Sequence, residues 1–350
     1  KENEVKINQF INHKLYLGID AGEYGIAYCL TDFSQQNPKI IEANYIKSKN
    51  IRKIKDHYHK IQERAKKGLF LSSTSILQEI RENSINEIRN KIHNLYIKYQ
   101  SPIIYEYSIS NFETGSGRIT KIYDSIKKSD TIPDNDADKL VIKHIWGVDF
   151  LESGKIGKNL SAYGSSYTCS ACGKSIYSLF ENFEKDNILV LKKLNSNNIK
   201  NIIEIKTNYG IIYGYTRDNK FIENYQFEKT KESKNEFIKI IKSFTRPPLE
   251  KSEVLISFKK LNKKILKKIK KERGNSAVFV CPFKDCGHVF DADLQAAFIM
   301  SIRGFIKDIF KDRKDLNIFE ETINYLNNKK INLELLKNQD LFSLLESKNQ

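Results

Sequence analysis

A stretch near the amino terminus, LYLGIDAGEYGIAYCL at residues 15–30, restricts the fold of this chain more than any other feature. Residues 15–20 alternate between large apolar side chains and other residues, with the period of a strand that has one buried face. A turn containing glycines follows, and residues 26–30 predict a second strand, so the stretch forms a hairpin. Asp20 ends the first strand between two apolar runs. It is either a turn aspartate that bonds its own backbone or a carboxylate of a functional site.

Two later apolar runs add strands to this hairpin. The first, KIIEANYI at residues 39–46, completes a three-stranded antiparallel start. The second, PIIYEY at residues 102–107, follows a helix that isoleucines and leucines at helical spacing predict over residues 75–99. An apolar strand that directly follows a helix favours a parallel strand in the centre of the sheet. Glu106 lies inside that strand, where a carboxylate is costly to bury unless it is paired or binds a metal. At a sheet edge, Glu106 would instead face solvent.

Charge and hydropathy limit the classes of partner. The sequence holds 59 lysines and arginines against 43 aspartates and glutamates, a net charge of +16. Such a surplus predicts a polyanionic partner, most simply nucleic acid, although drift of the composition toward Lys, Asn and Ile explains part of it. No apolar run approaches the roughly 18 residues that a membrane-spanning helix needs, and no secretory signal is visible. We therefore expect a cytoplasmic protein with no membrane partner.

Four of the five cysteines form two close pairs, each followed by a glycine. The pairs are Cys169-x2-Cys172 and Cys281-x4-Cys286. Two such knuckles are typical of a tetrahedral zinc site in a reducing compartment, because thiolates bind zinc and the glycines allow tight turns. More than a hundred residues separate the pairs, so the insert must fold on its own or pair back as strands. The strands predicted within it are residues 188–194, 201–207, 210–216 and 253–258. The fifth cysteine, Cys29, predicts a small buried core residue.

The segment after the second cysteine pair, DADLQAAFIM at residues 291–300, predicts a helix with Asp291 as its N-cap. Asp293 shares a helix face with Ala296 and Ala297, and small residues there allow close approach to a sheet. Capping accounts for Asp291 and leaves Asp293 unexplained.

Two further lysine-rich or polar regions are less informative. Residues 259–273, KKLNKKILKKIKKER, predict a basic amphipathic helix whose lysine face is either solvated or in contact with phosphates. Residues 315–350 predict polar helices, for which the sequence suggests no function.

Three carboxylates lie in unusual surroundings: Asp20, Glu106 and Asp293. Such a set is the arrangement of an RNase H-like nuclease, whose acidic residues hold two Mg²⁺ ions about 4 Å apart across a scissile phosphate. One ion lowers the pKa of the attacking water, and the other stabilises the leaving 3′ oxygen. Carboxylate oxygens are ligands that suit Mg²⁺ or Mn²⁺.

Three motifs carry a resemblance to a known family: GIDAGEYGIAY, IIYEYS, and the zinc ribbon followed by DADLQAA. They resemble the three split RuvC motifs of the TnpB and type V CRISPR effector nucleases, and SAYGSSYTCSACG resembles the segment that enters the family's ribbon. The resemblance implies an RNA-guided DNA endonuclease of antiviral defence in a prokaryotic cytoplasm. Its site would use Asp20, Glu106 and Asp293 as ligands of Mg²⁺ or Mn²⁺, and its four paired cysteines would hold structural zinc.

The resemblance also implies partners and a fold. The partners are the target and non-target DNA strands and a guide RNA, the RNA being bound by an amino-terminal lobe that this chain lacks. Lys1 in place of an initiating Met likewise leads us to expect a piece of a longer protein. The implied fold is α/β, an RNase H-like (RuvC) mixed sheet flanked by helices. The implied domains are residues 1–165 with RuvC motifs I and II, a bridging helix and a lid; residues 166–290 with the zinc ribbon and an inserted Nuc or target-loading region; and residues 291–350 with motif III and terminal helices.

Two other classes of protein and one question of register stay open at this point. The GID-x-G sequence also resembles the first phosphate loop of actin-like and sugar-kinase ATPases, but the chain shows neither a second glycine-rich phosphate loop nor an adenosine motif. A zinc-ribbon protein that binds nucleic acid without catalysis is the other alternative. Asp291 competes with Asp293 as the third ligand, although the helix face and the family's spacing before Ala-Ala both favour Asp293.

Overall fold

A computed structural model describes residues 14–22, 25–47, 101, 103–105, 164–196, 199–217, 220–246, 278–310, 313 and 316–337, together with residues 91, 94, 95, 98 and 99. The chain is mixed α/β. It divides into two compact units, one formed by Lys1–Ala162 with Met300–Lys311 and the other by Tyr163–Ile299 with Asp312–Gln350. The helices with described ends are α1 (Ile176–Glu181), α2 (Lys231–Thr245), α3 (Ala292–Ile309) and α4 (Ile318–Asn327). Within the described ranges, no helix combines the length and the apolar character needed to cross a membrane.

The first unit contains a four-stranded sheet. Its strands are β1 (Leu15–Gly22), β2 (Gly25–Asp32), β3 (Lys39–Lys47) and β4 (Ile103–Tyr105), in the order β3-β2-β1-β4. The first three strands are antiparallel, and β4 runs parallel to β1. These strands confirm the predicted hairpin, the three-stranded antiparallel start and the parallel direction of the fourth strand. Among the described strands β4 is at the end of the order, so its central position stays a prediction.

The carboxy-terminal half of α3 covers one face of this sheet. Tyr16 pairs with Thr31 across β1 and β2, so the two side chains share a face. Because side chains alternate along a strand, Asp20 belongs to the same face. The Thr31 and Ser301 hydroxyl oxygens lie 2.8 Å apart, and the rings of Tyr16 and Phe305 meet edge-on at 5.8 Å between centroids. Residues 300–309 of α3 therefore lie on the sheet face to which Asp20 belongs.

The second unit is built on a three-stranded antiparallel sheet formed by β5 (Leu189–Ser196), β6 (Ile199–Thr207) and β7 (Gly210–Tyr215). These strands confirm the first three that the sequence predicts in the insert, and the fourth, at residues 253–258, lies outside the described residues. Helix α2 packs on this sheet so closely that a Cβ atom on Gly214 would collide with Ile240 of the helix. Phe183, Phe227 and Phe237 form an aromatic core beside it, with ring centroids 5.5 Å apart in both the Phe183–Phe237 and the Phe227–Phe237 pairs.

A short antiparallel hairpin completes the described strands of the second unit. Its strands are β8 (Val278–Val280) and β9 (Val289–Asp291), and β9 continues directly into α3. Of the polar helices predicted over residues 315–350, α4 and a single 3-10 turn at Glu334–Leu336 are described. Residues 91, 94, 95, 98 and 99 of the helix predicted over residues 75–99 are helical. The predicted basic helix at residues 259–273 lies outside the described residues, as does most of the helix predicted over residues 75–99.

Candidate metal centre and carboxylate residues

The four paired cysteines converge on one point. Their sulfur atoms all lie within 4.8 Å of one another. The Cys169 and Cys286 sulfurs are 3.6 Å apart, and those of Cys172 and Cys281 are 3.8 Å apart. A tetrahedral zinc site with Zn–S bonds of about 2.3 Å has sulfur–sulfur edges of about 3.8 Å, so the spacing suits one Zn²⁺. All four cysteines are free thiols, and their separations are far from the roughly 2.05 Å of a disulfide.

The first cysteine pair lies at the tip of a tight antiparallel turn. Thr168 and Ser175 form an isolated bridge at its base, and the Cys169 N–H donates to the Lys174 carbonyl over 2.9 Å. The Gly173 N–H donates to the Cys169 carbonyl over 2.9 Å, and Gly173 has a φ of 65°, in the left-handed region. The glycine after the pair therefore closes the knuckle, as its position in the sequence predicts.

The second cysteine pair has the same construction at the tip of the β8–β9 hairpin. The Cys281 N–H donates to the His288 carbonyl over 2.9 Å and extends the hairpin toward the metal ligands. The Gly287 N–H donates to the Phe283 carbonyl over 3.0 Å, and Gly287 has a φ of 58°. The centre thus has the form of a zinc ribbon, with two ligands from each of two short antiparallel turns.

The long insert returns to the second knuckle as a paired strand. The Tyr213 N–H donates to the Pro282 carbonyl over 2.7 Å, and the Lys284 N–H donates to the Ile211 carbonyl over 2.9 Å. The Lys284 ammonium also lies 3.0 Å from the carboxylate of Glu204, which is only 4% exposed. This edge pairing is the physical reason why a ribbon tolerates so large an insert between its two cysteine pairs.

The close approach of the four thiols suits a bound cation. Burial raises the pKa of the Cys169 thiol well above its usual range. Hydrogen bonds from the neighbouring thiols, that of Cys169 first, lower the pKa of Cys286. Four thiolates at this spacing repel one another strongly unless a metal ion neutralises them, and metal binding deprotonates coordinating thiols. Because the chain itself supplies four ligands, a Zn²⁺ bound here would have no open position for substrate.

Asp20 is buried in β1, with 8% of its surface exposed. Glu106 lies outside the described residues, but in the sequence it follows Tyr105 directly. Tyr105 is the residue of β4 that pairs with Ile19, and Ile19 directly precedes Asp20. The described pairing therefore brings side by side the two residues that immediately precede the two predicted carboxylates.

The two aspartates at the start of α3 differ in their surroundings. The Asp291 carboxylate is fully buried and accepts hydrogen bonds from the N–H groups of Asp293 and Leu294, both over 3.1 Å. These bonds confirm Asp291 as the N-cap of the helix. Asp293 is half-buried in the first turn. The small-residue face that the sequence suggests is not distinctive, because every residue from 294 to 304 is buried and this part of the helix has no exposed face.

Both knuckles hold the start of α3. The second knuckle leads through β9 to Asp291 without a break. In the first knuckle, the Ser170 N–H donates to the side-chain oxygen of Gln295 over 3.4 Å, and Gln295 is fully buried. Sequence reasoning missed Gln295, although a lone amide within the apolar run LQAAFIM was a visible signal. The metal centre and the turn that carries Asp293 are therefore mechanically linked within the second unit.

The structure thus brings the four predicted zinc ligands together, and it places Asp20 in β1 and Asp293 in the first turn of α3. Within the described ranges, the cysteines are the one cluster of three or more potential ligand side chains close enough to hold a metal. A comparison of the sequence with models of known protein families finds no match, and a search among curated proteins finds no similar one.

Proposed function

We propose that the chain is the catalytic portion of an RNA-guided DNA endonuclease with a single RuvC-type site. In this proposal Asp20, Glu106 and Asp293 hold Mg²⁺ or Mn²⁺, and the four cysteines hold structural Zn²⁺. The observation that carries the proposal is the pairing of β1 with β4. It sets Ile19 opposite Tyr105, one residue before each of two carboxylates, in a mixed sheet of the kind expected for an RNase H-like nuclease.

The burial of Asp20 supports a role in holding a cation. An ionised carboxylate that is almost enclosed costs several kcal/mol unless charges or hydrogen-bond donors offset the loss of water, as a rough magnitude. A second carboxylate beside it, from Glu106, would add repulsion that a divalent cation removes. When bound, Mg²⁺ would supply an activated water and charge stabilisation at the phosphate. The chain's own part is to fix the ligand oxygens on adjacent strands.

The cysteine centre has a positional part in this proposal. The sulfur spacing suits zinc, and both knuckles are attached to the first turn of α3. A ribbon held closed by metal would keep Asp293 in a fixed orientation. Two-metal chemistry requires each ligand oxygen to be positioned within roughly half an ångström. Zinc would thus support the reaction without touching the substrate.

Cleavage of end-labelled single-stranded DNA, with Mg²⁺ against EDTA, separates the candidate functions. Because the resemblance implies a guide-binding lobe, the assay uses the longer protein loaded with its guide RNA and an activating target. Product that forms only with Mg²⁺ is the expected result. DNA binding that ignores Mg²⁺ and gives no product would instead indicate a non-catalytic zinc-ribbon protein. Heat stabilisation by ATP would indicate an actin-like ATPase.

A further inference from the structure

Two cations at the carboxy-terminal end of α2 lie over the same aromatic ring. The Arg246 guanidinium carbon is 5.4 Å from the centroid of the Tyr167 ring, and the Lys242 ammonium is 5.7 Å from that centroid. Lys242 is also 5.9 Å from the centroid of the Phe180 ring. Tyr177 meets Tyr167 edge-on, with centroids 5.5 Å apart. We call these five residues the aromatic–basic patch.

Within the part of the chain that the structure describes, no acidic side chain forms an ion pair with the cations of the patch, Lys242 and Arg246, whereas Lys234 of the same helix lies 3.9 Å from Glu184. Other lysines of the second unit are also paired, namely Lys192 and Lys284 with Glu204, Lys220 with Glu236, and Lys337 with Glu334. The Arg246 Nε atom is buried and, within the described part of the chain, makes no hydrogen bond. Two like charges that share one ring repel each other, and an anionic ligand removes that repulsion.

The patch is open to a ligand. Tyr167, Tyr177, Lys242 and Arg246 are all partly exposed, while Phe180 is buried beneath them. Arg and Lys held against aromatic rings keep their donors available for phosphate, since a ring face occupies none of the N–H groups. The tyrosine rings offer flat apolar surface on which bases stack. Cations beside partly exposed rings are the combination that single-stranded nucleic acids require, whereas an acidic peptide needs only the cations.

We propose that the aromatic–basic patch binds single-stranded DNA, with Lys242 and Arg246 on the phosphates and Tyr177 against a base. This inference rests on the proposed function for its choice of DNA. It is nevertheless separable from cleavage, because the patch lies in the second unit and uses none of the predicted carboxylates. It assigns a residue-level binding surface to the insert, where the sequence suggested only the basic helix at residues 259–273.

Fluorescence anisotropy with labelled oligo-dT, in buffer without divalent cations, tests the inference on the 350-residue chain. The double variant Lys242→Ala/Arg246→Ala should bind at least tenfold more weakly at moderate salt. The slope of log affinity against log salt should become less steep by about 1.4, since each lost phosphate contact with a single strand removes about 0.7. The matched control Lys220→Ala/Lys234→Ala removes the same charge from ion-paired positions in the same unit and should lose less than twofold.

Substitutions of Tyr177 test the stacking part separately. Tyr177→Leu should weaken binding about fivefold or more with no change in the salt slope, and Tyr177→Phe should restore it, because stacking uses the ring and not the charge. Zinc content and the unfolding midpoint of every variant must match those of the parent chain.

Three outcomes would overturn the inference. The first is equal weakening by the two double variants, which would mean that bulk charge alone binds DNA. The second is that Lys242→Ala/Arg246→Ala weakens binding of polyglutamate as much as it weakens binding of oligo-dT, which would mean that the patch is a general site for acidic chains. The third is oligo-dT affinity that is unaffected by Tyr177→Leu. If the patch variants behave as expected but no protein cleaves DNA, the binding surface stands and the proposed nuclease function fails.

Discussion

The four-cysteine centre and the proposed carboxylate site differ in how far their ligands depend on tertiary structure. In the centre, each pair of ligands lies at the tip of one short antiparallel turn, and the pairs meet at sulfur separations of 3.6 and 3.8 Å. The proposed carboxylates come from β1, from the residue after β4, and from α3. Two short turns therefore define most of the metal centre, whereas the acidic site requires whole elements to be placed correctly. The comparison predicts that the two sites fail in different ways.

Cys281→Ser should have the largest effect on stability. Losing one of four ligands should release zinc and destabilise the second unit by several kcal/mol, since metal binding and folding are coupled in such sites. Cys29→Ala is the matched control, because Cys29 is equally buried but lies in β2 of the first unit. It should cost on the order of 1–2 kcal/mol and keep the full zinc content. Elemental analysis gives the zinc content of both variants, and thermal unfolding gives their stability. If the parent chain, purified without chelators, holds no zinc, the zinc assignment is contradicted.

Asp293→Ala and Asp291→Ala should separate activity from stability. In the guide-loaded protein that the proposed function implies, Asp293→Ala should reduce cleavage on the order of 10³-fold, because a misplaced metal loses transition-state stabilisation. Asp291→Ala should remain active and lose about 1–2 kcal/mol of stability, because it removes the helix cap. Initial cleavage rates and thermal unfolding check the pair. The reverse outcome would make Asp291 the third ligand and leave the nuclease proposal standing.

Removing zinc should loosen the start of α3 but leave the first unit's sheet unchanged. Chelation should accelerate amide exchange in both knuckles and in the first two turns of α3, and not in β1–β3. Gln295→Ala should accelerate amide exchange in the first two turns of α3 alone, by about fivefold. It removes one hydrogen bond worth about 1 kcal/mol while zinc stays bound. Hydrogen exchange read by mass spectrometry tests this link. Protection of α3 that survives chelation would show that the ribbon does not position Asp293.

Substitutions of the two knuckle glycines should give the smallest difference in stability. Gly173→Ala and Gly287→Ala both place a side chain at positive φ, at about 1 kcal/mol each. A Cβ atom on Gly173 would also collide with Asn327 of α4 and lie 3.1 Å from its backbone nitrogen, whereas no described residue has an atom within 4 Å of a Cβ atom on Gly287. Gly173→Ala should therefore cost about 1–3 kcal/mol more, as other overpacking substitutions do. Equal unfolding midpoints would show that α4 does not pack on the first knuckle.

The elements that sequence reasoning found are those whose signal is local. Alternating apolar residues predicted β1–β3 and β5–β7, and the position of Asp291 before an apolar run predicted its cap. Helix α2 was not predicted, although Thr230 as its N-cap and the spacing of Phe237, Ile240 and Phe244 carry a helical signal. Lysines throughout that segment concealed the apolar stripe.

Contacts between distant segments could not be read from the sequence. The pairing of β7 with the second knuckle is made by backbone hydrogen bonds at strand edges. Such bonds do not depend on which side chains the strands carry, so the sequence does not reveal which edges pair. The contact of Gln295 with Ser170 and the packing of α4 on Gly173 likewise join residues more than a hundred positions apart. For the same reason, spacing alone does not establish the carboxylate set.

Cleavage by the guide-loaded protein that the proposed function implies, carrying Asp20→Ala or Glu106→Ala, tests the proposed carboxylate site most directly. Initial rates on end-labelled single-stranded DNA with Mg²⁺ would be measured beside oligo-dT affinity and zinc content. We predict that each substitution abolishes cleavage, while affinity stays within about twofold and one zinc per chain is retained, because in the proposed site these carboxylates hold the catalytic metal and are not among the cysteine ligands. Cleavage at the parent rate by either variant would contradict the two-metal site.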